Sequence, residues 1–107
     1  MEYSISIDDV FAAAGRLDGI VKRTPVVSAE EIDKIAGKQV LMKCENLQHI
    51  GAFKFRGATN AVIMLGDDAE NGVCPHSSGH HAQALSMAAK NRGCEAYIVM
   101  PKTPPPV

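Results

Sequence analysis

Apolar and polar residues follow one another along this chain in two rhythms, and the change from one to the other marks out its elements. Val10, Phe11, Ala14 and Leu17 recur at the three- and four-residue spacing of a helix face. Ser6, with Asp9 three residues on, has the capping-box spacing that opens such a helix, and the pattern frays near Gly19. Ser28 with Glu31 repeats that spacing and predicts a short helix stopped by Gly37. Lys38 to Cys44, with Val40, Leu41 and Met42 in an apolar run, predicts a strand. There follow a predicted helix over 53–65, a polar loop from Asp67 to Gly72, a short strand at Val73 and Cys74, a helix over 79–92 closed by Gly93, and a strand from Glu95 to Met100. Strands alternating with helices in this order predict an α/β fold, a parallel sheet with flanking helices and right-handed crossovers. No internal repeat or low-complexity linker interrupts it.

Inside the 53–65 segment, counting by threes and fours from Lys54 gives Ala58, Ala61, Val62 and Leu65, whereas Arg56 heads a stripe with Thr59, Asn60 and Ile63. The spacing predicts that Lys54, not Arg56, faces the interior. Burial disfavours the ammonium, lowers its pKa and leaves a neutral amine that attacks carbonyl compounds. The other reading is a lysine that snorkels past the helix end to water.

A second candidate lies at Pro75-His76-Ser77-Ser78-Gly79-His80-His81-Ala82, between the short strand and the 79–92 helix. Hydroxyls and a glycine there leave backbone N–H groups pointing outward beside the positive end of the helix dipole, a seat for a carboxylate or phosphate. The other reading is a plain serine N-cap. Ala82, Ala84, Ala88 and Ala89 let the helix lie close to a neighbour, and Lys90 and Arg92 in its last turn complement the opposite pole.

Composition removes several function classes. The 107 residues carry a net charge of −1, 46% hydrophobic and 21% charged residues, and no basic run, so nothing draws the chain to nucleic acid or an anionic membrane. Neither a signal peptide nor a membrane-spanning stretch is visible, and a cytoplasmic location is expected. Cys44, Cys74 and Cys94 show no paired short spacing and read as reduced thiols in strands. Cys74, His76, His80 and His81 cluster but lack a second pair of ligands, so no metal site is expected; a small metal-binding domain is the competing reading.

The segments Lys43–Gln48, Gly51–Ala58 and His76–Leu85, with Arg23–Val26 and Ala96–Pro101, closely resemble the serine racemases and threonine/serine dehydratases. These are fold-type-II pyridoxal-phosphate enzymes of the tryptophan-synthase-beta-like kind. The similarity runs from about Val21 to Pro101. It implies a partial domain over 1–107, with a large-domain N-terminal part at 1–72 and the start of a small domain at 73–107. It also implies pyridoxal 5'-phosphate as cofactor, held by Lys54 as a Schiff base, with Phe53 and His80 against it. Lys54 would then take the Cα proton, and Ser78 would face it from the other side of the substrate. Ser77, Ser78, Gly79 and His81 would bind the carboxylate of L-serine or L-threonine, and a homodimer or association with a full-length homologue is expected. The implied activity is a serine/threonine ammonia-lyase or a serine racemase. The alternative is an inactive truncated pseudoenzyme or interaction fragment.

The chain departs from the family pattern in places. His80 stands where asparagine is usual, Pro75 where threonine is common, and Ala29-Glu30 and His49-Ile50 replace the pairs of ATP-binding racemases, so ATP activation is not expected. Pro75 removes a ladder donor from the short strand. Thr103-Pro104-Pro105-Pro106-Val107 continues neither strand nor helix and is expected to truncate the family fold before its phosphate-cradling loop.

Overall fold

A computed structural model describes residues 3–103; the expectation for Pro104 to Val107 lies outside the described residues. The first helix, α1 (Ile7–Leu17), opens on the expected box: Asp9 N–H donates to Ser6 Oγ at 3.2 Å and Ser6 N–H donates to the Asp9 carboxylate at 2.7 Å. Two orphan donors are thereby satisfied reciprocally. The Ser6 backbone N–H, then its hydroxyl, holds the Asp9 carboxyl below its ordinary range. Leu17 is the buried residue of α1, and Arg16 Nε donates to Asn60 Oδ1 at 2.7 Å, tying the helix to α3 (Lys54–Met64). Ile7, Val10 and Phe11 remain exposed.

Between them lie β1 (Val26–Val27), α2 (Glu30–Ala36) and β2 (Met42–Lys43). The expected 38–44 strand shrinks to those two residues of β2, which pair antiparallel with β1, Val26 opposite Lys43 and Val27 opposite Met42. The Ser28 and Glu31 spacing does not cap α2: Ala29 holds the N-cap position with no side-chain bond. Gly37 closes α2 in the left-handed conformation at φ 67°, where a side chain would be strained. The predicted 67–72 loop winds into a 3-10 turn, Gly66–Asn71.

The core is the contact of α3 with α4 (His80–Arg92). Ala58 and Val62 of α3 meet Ala84, Ala88 and Ala89 of α4, with Val73 beside them and Ile50, Leu85 and Cys94 closing the edge. Methyl-sized side chains let the two helices approach closely, so the alanine content of the sequence is a packing feature. Gly93 ends α4 at φ 82°.

Residues 73–77 run parallel to 95–99, as the α/β reading expects, but as two isolated bridges, Val73–Ala96 and His76–Val99. The ladder is regular except at one place. Val73 N–H donates to Glu95 O, Tyr97 N–H to Val73 O, Val99 N–H to Pro75 O and Ser77 N–H to Val99 O, at 2.8–3.1 Å. The rung absent from this series is the one that residue 75 would donate to Tyr97 O, and Pro75 has no N–H. The full strands expected at 73–74 and 95–100 are broken for that reason, and the hydrogen-bonded sheet of the described residues is the antiparallel β1–β2 pair.

Candidate functional site

Lys54 is the first residue of α3, entered through a tight 3-10 turn, His49–Gly51, in which Ile50 (φ 60°) and Gly51 (φ 70°) are both left-handed. That conformation suits glycine and strains a β-branched residue. The expectation that Lys54 leads the buried stripe is corrected here. The buried residues of α3 are Phe55, Ala58, Thr59 and Val62, while Lys54, Ala61 and Leu65 are exposed. Phe55 is fully buried and meets the His49 ring edge-on at 5.0 Å between centroids. The aromatic side chain removes far more apolar area from water than any register placing Lys54 inward, so the helix turns about one residue from the expected phase. The Lys54 ammonium lies 5.0 Å from the centroid of the half-open Phe53 ring. Among the described residues it has neither a hydrogen bond nor an ion pair.

Arg56, expected to face outward, is half-buried and carries the densest polar network of the molecule. Its Nε and Nη2 donate to the two carboxylate oxygens of Glu45 at 2.8 and 2.7 Å, and Nη2 also donates to Lys22 O at 2.9 Å. The Thr24 hydroxyl donates to the same carboxylate, and Lys43 Nζ donates to Thr24 O at 2.9 Å. The Arg56 guanidinium, helped by Thr24 and Lys43 against the cost of desolvation, holds the Glu45 carboxyl down at about 2. Gln48, 3% exposed, accepts from Lys22 N–H at 3.0 Å and donates to Lys22 O at 2.8 Å, as a neighbouring strand would. These residues lie inside segments that carry the family resemblance, yet sequence reasoning gave them no role. The available signal was the spacing of Glu45 and Gln48, three apart.

At the start of α4, Gly79 holds the N-cap position and no side chain caps the helix, so the plain serine cap does not form. Ser77 Oγ instead accepts from Gly79 N–H at 3.2 Å, and Ser77 N–H donates to Val99 O at 3.1 Å. The amides of His80, His81 and Ala82 have no acceptor inside the helix, as in any first turn. A Cβ on Gly79 would meet nothing within 4 Å, so the space beside the N-cap residue is open. Ser77 and Ser78 are half-buried, and His80 and His81 exposed.

The structure therefore brings α3 and α4 together, and α4 also touches the turn that leads to Lys54. No hydrogen bond or ion pair joins Lys54 to Ser77, Ser78, Gly79, His80 or His81 among the described residues. A groove of about 680 Å³ lies elsewhere, between Val10, Ala14 and Leu17 of α1 and the cations Arg23, Lys43 and Arg56. Among the described residues, Cys74, His76, His80 and His81 are not gathered into a group of three or more side chains able to hold an ion. No helix there is long and apolar enough to cross a membrane.

Residues 17–107 match the family described as "Pyridoxal-phosphate dependent enzyme". The chain is 49% identical over 104 residues to a serine racemase of Oryza sativa subsp. indica, covering 96% of this chain and 31% of that protein. It is 46% identical over 104 residues to a beta-hydroxyaspartate dehydratase of Paracoccus denitrificans, with 96% and 33% covered. The crystal structure of serine racemase from Dictyostelium discoideum superposes with a TM-score of 0.90 at 41% identity, over 96% of this chain and 34% of that one. The chain thus spans about a third of the length of these relatives.

Proposed function

We propose, from the fact that this chain belongs to the pyridoxal-phosphate dependent enzymes, that it carries the amine-bearing part of a racemase or ammonia-lyase acting on small β-hydroxy amino acids. The observation behind this reading is Lys54: a primary amine at a helix start, engaged by no acceptor among the described residues, with an aromatic face beside it. The donor set suits pyridoxal phosphate, since an aldehyde requires a free amine and a flat ring an apolar face. The uncapped start of α4 behind Gly79 suits an anion. Residues 1–72 then form the large-domain portion and 73–107 the start of the small one.

The cofactor, when bound, supplies an electron sink for the pair left at Cα when its proton departs. Lys54 Nζ would hold the cofactor, and the same amine would take up the Cα proton on one face. Ser78 Oγ carries a proton on the other. Ser77, Ser78, Gly79 and His81 bind the substrate carboxylate through hydroxyl and amide donors, and Phe53 and His80 orient the ring. Proton return from the opposite face inverts Cα, whereas departure of a β-hydroxyl gives dehydration. L-Serine and L-threonine both carry that hydroxyl, and the names of the two curated relatives point to the same substrate class.

Incubation of the chain with pyridoxal phosphate, borohydride reduction and peptide mapping tests the reading. One adduct is expected, at Lys54, and none in Lys54→Ala. Label spread evenly over the six other lysines overturns it. A second reading, an interaction fragment docking on a full-length relative, draws on the exposed Tyr97, Val99 and Met100 at the open side of the parallel bridges. Failure to co-purify with such a relative removes it.

A further inference from the structure

We infer that Glu45, Gln48 and Arg56 are positioning residues for Lys54, an inference that rests on the role proposed for that lysine. Among the described residues Lys54 makes no hydrogen bond or ion pair of its own, so its place in space is set by the backbone on either side of it. Before it, the chain passes through two left-handed residues, Ile50 and Gly51, and a β-branched residue persists there only where its surroundings over-determine it. After it, the first turn of α3 has neither a capping side chain nor an acidic residue of its own. Arg56 places a cation in that turn, against the helix dipole.

Both difficulties are answered by the same neighbour. Glu45 opens a 3-10 turn, Glu45–Leu47, and Gln48 closes it with extended backbone, and both side chains bond to the same neighbouring stretch. That stretch is the segment 22–25. Gln48 fixes the backbone just ahead of Ile50 by pairing with both the N–H and the carbonyl of Lys22. Arg56 fixes the backbone just after Lys54 by donating to that same carbonyl of Lys22 and, as a two-pronged fork, to Glu45. The strained turn and the lysine are therefore bracketed by two ties that end on one residue. The Glu45 carboxylate brings to the helix start the anion that α3 lacks.

Arg56→Lys keeps the charge and removes the fork, and Val62→Ala, in the same helix but outside the clamp, serves as the control for simple destabilisation. Amide hydrogen exchange is followed in both at a temperature where both are folded, together with the share of reduced pyridoxal-phosphate label found at Lys54. Arg56→Lys is expected to speed exchange at 53–57 roughly tenfold relative to 61–64, the size of a lost charge-assisted bond. The share of label at Lys54 is expected to fall toward that of the other lysines. Val62→Ala lowers the thermal midpoint and does neither. Uniformly faster exchange in both variants, or no local change in Arg56→Lys, overturns the inference. Should Arg56→Lys not fold, Gln48→Met, which removes the pairing with Lys22 without adding a charge, is judged by the same two readouts. If the unaltered chain gives no selective label, the role proposed for Lys54 falls, while the exchange comparison still decides whether the clamp holds the turn.

Discussion

Acidification puts a number on the Glu45–Arg56 pair. Hydrogen bonding from Arg56 is the largest influence that brings the Glu45 carboxyl from 4.5 to about 2. A carboxyl whose folded-state pKa lies below its unfolded value stabilises the fold only while ionised. Its contribution is therefore complete above about pH 4.5 and is withdrawn as the pH falls through about 2. At about 1.4 kcal/mol per pH unit this amounts to on the order of 3 kcal/mol, discounted to roughly 2 kcal/mol for the solvent still reaching both partners. Arg56 cannot lose its proton in compensation, and acid leaves its half-buried guanidinium unpaired. Urea unfolding followed by circular dichroism, from about pH 6 down to about pH 2, measures the loss in the unaltered chain and in Glu45→Gln. Glu45→Gln is expected to start lower and to fall by roughly 2 kcal/mol less over that interval. Asp9, whose carboxyl is also held low, titrates in both proteins and cancels from the difference. Parallel stability curves would falsify the assignment of the acid-sensitive free energy to this pair.

Phe55→Ala removes the largest fully buried side chain and is expected to cost about 3–5 kcal/mol in urea unfolding; a loss under about 1 kcal/mol contradicts the packing described. Ser6→Ala takes away the acceptor for Asp9 N–H and is expected to cost about 1 kcal/mol, seen as faster amide exchange confined to 7–10; equal acceleration in α4 would show that the cap is not local. Pro75→Thr supplies the absent N–H, and a new slowly exchanging amide at residue 75 is expected. Stability should change by less than about 1 kcal/mol, because the added bond is offset by the freedom given to the unfolded chain.

The elements that were legible are those whose signals are local. Ser6 and Asp9 satisfy each other within one turn, Gly37 and Gly93 stop helices by their own conformation, and the alanines of α4 announce a close neighbour. The phase of α3 was not, because Lys54 and Phe55 both reach Ala58 at helical spacing, and Thr59, which is buried, reads as polar. Among the described residues Thr59 Oγ1 has no hydrogen-bond partner, a cost the pattern of residue types does not reveal. Glu45, Gln48 and Arg56 were hidden for another reason. Their partner is the segment 22–25, brought beside them only by the folded chain. At the start of α4 the order of residues was visible, and what the structure adds is that Gly79, not a serine, begins the helix.

The interruption at Pro75 has a mechanical consequence for the loop beyond it. Upstream, Val73 is riveted on both sides, through its N–H and its carbonyl, whereas the stretch carrying Ser77 to Gly79 hangs from the bonds that Val99 makes with Pro75 O and Ser77 N–H. The stretch ahead of α4 is thus slung between two moorings, Val99 on one side and, through Gly79 O and the Gln83 N–H, the helix on the other, so a shift of Val99 reaches Ser77 directly and α4 only through Gly79.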